Sequence, residues 1–421
     1  MSYKSKPGYV DDLLILRGLC AFGVLLAHGL GSLPAFRVYE KVMHTPQLLS
    51  TSAGQMIARF WPTTGATFVY VFFAHSGYLM GKVYWNKQYV LNVRSLADFY
   101  WNRFLRIAPL LYFNLFVLLC LGGKFDQLLS RPLPVLGDFL FFNNLTDRFI
   151  NSVTWSISYE MQDYLICPLF FLLLSRKSKT TLLSSCAAIV LLTAYSRYSQ
   201  IHENNLILGL ARFTWCFLAG YSVNLIIRYV HEDLHISGST GSRFFAFLLF
   251  FAGVFTFYDL YNTSHAFVAQ VQLILVAMLV LLLLELPRKD SGVQREKGFG
   301  LGMLWGRALT WLGMISYGVY LWHLPIVLSL AKNVDVVKYL LRWSQWLNGW
   351  THLPVLILIN VVFAAVVAVL AVVLSIATFL LIEVRFKPNL YAVHARRPSP
   401  VEPDVVPVTA DDAPIDSAVH A

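Results

Sequence analysis

The sequence predicts an all-α protein, a polytopic helical bundle embedded in a membrane. Two features of its composition support this prediction. Of the 421 residues, 57% are hydrophobic and only 13% are charged, whereas soluble proteins contain about 25% charged residues. The apolar residues also fall into runs of about 20, the length that crosses a bilayer as a helix. One water-soluble core could not bury that much apolar surface, so a lipid bilayer is the first expected partner.

Ten apolar segments are candidates for membrane-spanning helices. In chain order they cover residues 13–33, 66–85, 104–123, 158–175, 181–196, 206–228, 244–260, 266–286, 309–331 and 353–383. The fifth is short and weakly apolar, and the last is long enough to tilt or to extend past the bilayer. We therefore expect one membrane domain at residues 1–390. The polar, Pro- and Asp-rich residues 391–421 are expected to form a disordered tail.

Basic residues in the loops predict the orientation of the bundle. With ten spans, both termini share one side with loops 82–103, 175–181, 229–243 and 287–308, which hold basic clusters such as Arg176 to Lys179. The opposite loops are poorer in Lys and Arg. Both termini are therefore predicted to be cytoplasmic. The bases behind the net charge of +10 are scattered between the spans, which argues against a nucleic-acid-binding protein.

The first span contains two ionisable residues, Arg17 and His28. Eleven positions correspond to three helical turns plus about 20°, so both side chains share one face, roughly 16 Å apart along the axis. An ionisable residue inside a span is a functional candidate by default. The alternatives are an arginine that extends to the membrane surface and a histidine that only packs.

Two further arginines, Arg103 and Arg106, lie on one helical face at the predicted cytoplasmic start of the third span. Together with Arg17 they would form a cluster near one mouth of the bundle. Guanidinium groups bind phosphates through paired hydrogen bonds, so this cluster predicts a phosphate-bearing ligand. The alternative is that Arg103 and Arg106 only anchor the span at the cytoplasmic surface.

Three more ionisable residues, Glu160, Arg212 and His323, fall on other predicted spans at about the depth of His28. Four such groups at one depth predict a buried polar site. A histidine with a carboxylate nearby is the usual equipment of a general base, because the carboxylate orients the ring and stabilises its charged form. No His, Asp or Glu cluster has the spacing of metal ligands, so no metal site is expected.

Five stretches resemble motifs of the acyltransferase family 3 proteins, integral membrane enzymes that modify carbohydrates. They are RGLCAFGVLLAH (Arg17 and His28), VYVFFAHSGYLMG (Phe72, Phe73, Ser76, Gly77 and Tyr78), RFLR (Arg103 and Arg106), WSISYEMQDYLICP (Trp155, Ser156, Ser158, Glu160, Tyr164 and Pro168) and ISYGVYLWHLP (Ser316, Tyr317, Tyr320, Leu321, His323 and Pro325). The chain departs from the family pattern at Tyr70, His75, Met161 and Pro388. These departures concern the identity of the acceptor more than the type of reaction.

The resemblance implies transfer of an acyl group, usually acetyl, from a cytoplasmic acyl-CoA to a sugar hydroxyl of an exopolysaccharide, O-antigen or other glycan. Acetyl-CoA would be a donor substrate, and no permanently bound cofactor is expected. The expected location is a bacterial inner membrane.

With the analysis of the spans, the resemblance assigns residues to three roles. Catalysis would involve His28, Glu160 and His323; donor binding Arg17, Arg103 and Arg106; and acceptor binding Arg212, Trp155, Tyr164, Ser76 and Tyr320. The aromatic residues could instead anchor at the interface, and Ser76 with Gly77 could instead allow close helix packing. A transporter or flippase of a glycolipid or small solute could use the same buried His, Glu and Arg groups, and a structural scaffold is a third alternative. The sequence does not predict an oligomeric state.

Overall fold

The chain folds into helices, as the sequence predicts. The computed structural model describes residues 11–31, 33, 37–86, 88–89, 91–122, 130, 132–146, 150–174, 176–201, 213–287, 301–333, 338–339, 342 and 353–386. Within these ranges the secondary structure is helical and includes no strand. The predicted tail at residues 391–421 lies outside the described residues.

The described α-helices are numbered in chain order. They are α1 (Asp12–Gly31), α2 (Val38–Met43), α3 (Pro46–Leu49), α4 (Ser52–Phe60), α5 (Ala66–Trp85), α6 (Val93–Leu121), α7 (Pro132–Phe139), α8 (Trp155–Leu173), α9 (Lys179–Ile201), α10 (Thr214–Arg228), α11 (Thr240–Asn262), α12 (Ala266–Glu285), α13 (Leu301–Lys332) and α14 (Leu353–Thr378). Short 3-10 turns at Asn143–Leu145 and Ser152–Thr154 precede α8. Single π-helical turns at Tyr229–Asp233 and Phe379–Glu383 extend α10 and α14.

Among the described residues, seven helices are long and apolar enough to cross a membrane, namely α1, α6, α9, α11, α12, α13 and α14. The other three predicted spans correspond to α5, α8 and α10, which are helical but shorter or less apolar. Burial explains the difference: every residue of α10 from Thr214 to Leu225 is buried. A helix enclosed by other helices meets protein instead of lipid, so it can carry small and polar side chains. The structure therefore supports a multi-pass membrane protein, and the count of ten spans stays a prediction.

Ion pairs join one end of several helices into a face that we call the basal face. Asp12 at the start of α1 pairs with Arg243 of α11 at 2.8 Å, and Lys82 of α5 pairs with Glu285 of α12. Lys177, between α8 and α9, pairs with two acidic side chains of the π-helical turn after α10. These pairs place the described ends of the loops around residues 82, 177, 229–243 and 285 near one another, and the predicted topology of the whole bundle stays a prediction. That this side is cytoplasmic stays a prediction.

The opposite end of the bundle, the distal face, joins the segment before α5 to the end of α11. The Thr63 hydroxyl donates to Asn262 Oδ1 at 2.7 Å, and the Tyr258 hydroxyl donates to the Thr64 carbonyl at 2.8 Å. Because these contacts hold the start of α5, they also set the depth of the polar residues that α5 carries into the bundle.

Helices α5 and α10 approach so closely that only glycine fits between their backbones. A Cβ atom on Gly220 would lie 1.7 Å from the Ala74 carbonyl oxygen, and one on Gly77 would lie 1.8 Å from the Phe217 carbonyl oxygen. Small residues allow such contact in helical membrane proteins, where close van der Waals packing holds helices together. The rotation of α5 is therefore fixed next to Ser76.

Replacing Gly220 by alanine is expected to destabilise the fold by about 1–3 kcal/mol, because the added methyl group forces α5 and α10 apart. The apparent melting temperature of the protein purified in detergent measures the effect. Gly31→Ala is the matched control, since a Cβ there meets nothing within 4 Å. Equal melting temperatures for the two variants would contradict the proposed packing.

Candidate active site

A cavity of about 930 Å³ opens into the bundle from the basal end. Its walls come from α1, α5, α6, α8, α13 and the end of α14. Its lining begins at Asp11 and Phe386, where the first helix starts and the last one ends, and reaches Tyr320 in the interior. Ligand pockets commonly measure about 300–1,000 Å³, so this cavity could hold a large, elongated molecule.

Two arginines predicted from the sequence, Arg17 and Arg106, line this cavity. Among the interactions of the described residues, neither guanidinium has an ion pair within 4.0 Å or a hydrogen bond. Arg17 lies within electrostatic reach of Arg106, Glu160 and Glu383. Since carboxylates share the wall, an anion here would be recognised through directed bonds from the guanidinium groups rather than through a net positive field.

Glu160 is held in the cavity wall by two hydroxyl groups. The Ser76 hydroxyl donates to Glu160 Oε1 at 2.8 Å, and the Tyr164 hydroxyl donates to the same oxygen. All three side chains line the cavity. The structure thus brings together three of the predicted site residues, from α5 and α8, around one carboxylate.

The two predicted histidines, His28 of α1 and His323 of α13, form a separate pair. His28 Nδ1 lies 2.9 Å from His323 Nε2, and the rings stack with centroids 5.1 Å apart and an interplanar angle of 3°. His323 Nδ1 lies 2.7 Å from the Tyr320 carbonyl oxygen. Neither histidine lines the cavity.

This geometry determines the protonation pattern of a neutral pair. A carbonyl oxygen only accepts hydrogen bonds, so His323 Nδ1 must carry the hydrogen. His323 Nε2 is then an acceptor, and the hydrogen in the contact between the rings sits on His28 Nδ1. In such a neutral pair the second ring nitrogen of His28, Nε2, carries that ring's lone pair.

The Tyr320 ring packs against both Phe72 and His323; we call Tyr320 and Phe72 the aromatic partition. Both line the cavity, with ring centroids 6.1 Å apart, and the Tyr320 centroid lies 5.7 Å from that of His323. The Tyr320 hydroxyl donates to the Val153 carbonyl at 3.0 Å and bonds with the Ser156 hydroxyl at 2.7 Å. These bonds hold the Tyr320 ring in place between the cavity and His323.

The histidine pair lies toward the distal face. A Cβ on Gly65, just before α5, would lie 3.3 Å from His28 Cε1, whereas Ser76 follows eleven residues later on α5. At about 1.5 Å per residue, Ser76 and its partner Glu160 therefore lie roughly 16 Å further toward the basal face than Gly65. The sequence-based prediction that Glu160 and His28 share one depth is therefore wrong, and the carboxylate is not beside the ring.

The entry to α8 explains this difference in depth. The side chain of Asn151, just before α8, is buried and donates to Asn114 Oδ1 and to the Leu321 carbonyl, both at 2.9 Å. Helix α8 therefore begins inside the bundle instead of at its outer surface. Glu160 lies about one and a half turns along α8 from its start at Trp155, within electrostatic reach of Arg17.

The remaining predicted residues lie elsewhere. The Arg103 guanidinium lies over the rings of Phe99 and Tyr164, 5.7 and 5.8 Å from their centroids, and Trp155 packs against Phe213 with ring centroids 5.3 Å apart. Neither Arg103 nor Trp155 lines the cavity. Arg212 lies outside the described residues.

The cavity also contains polar residues to which the sequence analysis assigned no role. They are Asp11, His75, Ser156, Ser316, Tyr317 and Glu383. The signal that could have found His75 is its departure from the resembled motif, which is usually apolar at that position. In the described residues, no group of three or more His, Cys, Asp or Glu side chains is arranged to hold a metal ion.

Comparisons with known proteins agree with the family resemblance that the sequence motifs indicate. Residues 10–380 match the acyltransferase domain family. The peptidoglycan O-acetyltransferase OatA of Listeria monocytogenes is 25% identical over 315 residues, which cover 66% of this chain and 47% of that protein. YrhL of Bacillus subtilis, whose name carries the same activity only provisionally, is 26% identical over 310 residues, covering 63% and 45%. The chain spans about half the length of the curated relatives it matches. No solved structure matches the chain significantly.

Replacing Asn151 by alanine is expected to cost about 1–3 kcal/mol of stability, because it leaves buried acceptors on Asn114 and Leu321 without a donor. Thermal unfolding in detergent measures this cost. Asn86→Ala makes the same change at an exposed position and is expected to have little effect. If both variants unfold at the wild-type temperature, Asn151 does not hold the start of α8.

Proposed function

The chain belongs to the acyltransferase domain family, and from that premise we propose that it is a membrane O-acyltransferase acting on a glycan. The proposed reaction moves an acyl group, acetyl by default, from acyl-CoA to a sugar hydroxyl. One observation carries the proposal: two hydrogen-bonded histidines on α1 and α13 lie next to an arginine-lined cavity, beside the aromatic partition. This arrangement offers a base to an acceptor and a separate binding site to a donor.

The proposed chemistry uses His28 as general base. His28 Nε2 takes the proton of the sugar hydroxyl while the hydroxyl oxygen attacks the thioester carbonyl carbon. The carbon–sulfur bond then breaks, and the imidazolium returns the proton to the departing CoA thiolate. His28 Nδ1 keeps donating to His323 Nε2 throughout, so His323 orients the ring and stabilises its charged form. His323 is a positioning residue in this scheme.

The cavity suits the donor. Arg17 and Arg106 would hold phosphate oxygens near the basal end, where fork-shaped guanidinium groups make paired bonds. The pantetheine arm would follow the cavity toward Tyr320, where the partition must open for the thioester to meet His28. Arg103 stacks on Tyr164, which in turn donates to Glu160. We therefore propose that Arg103 positions this part of the wall instead of binding the donor directly.

The acceptor would approach from the distal face, where His28 lies against Gly65. Two relatives are named for the O-acetylation of peptidoglycan, which supports a glycan as the class of acceptor. A cytoplasmic basal face in a bacterial inner membrane would place the donor on the side where acyl-CoA is made. Transport of a glycolipid or solute is not favoured, because the matched family is defined by acyl transfer.

His28→Gln is expected to lower the rate of acyl transfer about 10²–10⁴-fold, the usual contribution of a general base. The assay follows label from isotope-labelled acetyl-CoA into alkali-labile esters of membrane and cell-wall glycan. His323→Gln is expected to lose less, because the base itself remains. His231→Gln, on the basal side of the bundle, is the matched control. Unchanged transfer by His28→Gln at equal protein level would refute the assignment of the base.

Arg106→Lys is expected to raise the KM for acetyl-CoA about tenfold with little change in kcat, because one ammonium group replaces a paired contact to phosphate. Initial rates at varied acetyl-CoA concentration separate the two constants. Arg59→Lys is the control, since Arg59 is exposed and pairs with Asp259 near the distal face. An unchanged KM would mean that Arg106 does not contact the donor.

A further inference from the structure

We propose that His75 is a further phosphate ligand in the donor cavity and completes the site that Arg17 and Arg106 begin. This inference rests on the proposed function. It assigns a binding role to a residue that stands where the resembled motif is usually apolar, and it therefore concerns a property of this chain.

The first observation is an unsatisfied buried atom. His75 lines the cavity, its side chain is only 4% exposed, and its Nε2 atom has no hydrogen-bond partner within the described structure. Buried polar atoms in native proteins nearly always have a partner, and a missing partner costs free energy. The natural partner of this nitrogen is therefore a molecule that enters the cavity.

The second observation is the charge around the ring. Arg17, Arg106 and Lys82 all lie within electrostatic reach of His75. Lys82 is already paired with Glu285, but the two arginines are not paired. A neutral imidazole can place its hydrogen on Nε2, and a donor beside two guanidinium groups fits an anionic oxygen. A phosphate group offers several such oxygens to several donors at once.

The Glu160 carboxylate, which shares the cavity wall, is not the hydrogen-bond partner of His75 Nε2. Glu160 Oε1 already accepts hydrogen bonds from Ser76 and Tyr164. Those bonds fix Ser76, and the contact between Gly77 and the Phe217 carbonyl fixes the rotation of α5 on its other side. His75, adjacent to Ser76, is therefore held toward the cavity before any ligand arrives, which lowers the cost of binding.

Binding of CoA and of pantetheine to purified protein tests this role without relying on catalysis. Pantetheine has the thiol arm of CoA but none of its phosphates. Isothermal calorimetry in detergent should show that His75→Phe weakens CoA binding about tenfold, the effect expected for losing one hydrogen bond to a charged group. Pantetheine binding should not change. His75→Gln keeps a donor on a flexible side chain and is expected to restore part of the CoA affinity.

Tyr221→Phe is the matched control, because it also removes a buried polar atom without a hydrogen-bond partner and Tyr221 does not line the cavity. It should bind CoA like wild type. Equal CoA affinity of His75→Phe and wild type would overturn the inference, as would equal weakening of CoA and pantetheine. If wild-type protein binds no CoA, the proposed function itself fails. If His75→Phe does not fold, His75→Leu takes its place, because leucine also lacks a donor; unchanged CoA affinity of His75→Leu would overturn the inference.

Discussion

The hydrogen bond between His28 and His323 is the interaction on which the proposed site depends. It joins α1 to α13 across most of the chain, and the same two helices meet nearer the basal end, where a Cβ on Gly18 would lie 2.8 Å from the Gly313 nitrogen. A bilayer interior supplies no water to satisfy an isolated ring nitrogen, so an ionisable side chain there needs a protein partner. Each histidine provides that partner for the other, and the Tyr320 carbonyl fixes which nitrogen remains basic.

The second organising feature is the aromatic partition. Acyl transfer to a sugar must keep water from the thioester, because water would compete with the hydroxyl as nucleophile. In this structure Tyr320 and Phe72 line the inner end of the cavity; the Tyr320 hydroxyl donates to the Val153 carbonyl and shares a hydrogen bond with the Ser156 hydroxyl, which holds the Tyr320 ring in place. The cavity and the histidine pair are thus adjacent, and the proposed reaction requires the partition to open so that a donor in the cavity can meet His28.

The sequence predicted the parts of this arrangement that depend on helical periodicity. Arg17 and His28 do lie on one helix, with Arg17 in the cavity and His28 beyond its inner end. The sequence could not predict the depth of Glu160, because that depth depends on the buried contacts of Asn151 before α8. Hydropathy alone did not separate α10 from lipid-facing spans, although its residues from Thr214 to Leu225 are all buried. The partner of His28 also required tertiary structure: a histidine 295 positions away took the place expected for the carboxylate.

The proposed function requires donor and acceptor to reach the site from opposite faces of the membrane. The most direct test uses sealed vesicles of known orientation, with isotope-labelled acetyl-CoA confined to one side and label then measured in alkali-labile glycan esters on each side. The account predicts that glycan on the distal side is labelled when acetyl-CoA is present at the basal face, and that acetyl-CoA at the distal face gives no label. Equal labelling from the distal face, or labelled glycan only on the side that holds the donor, would contradict it.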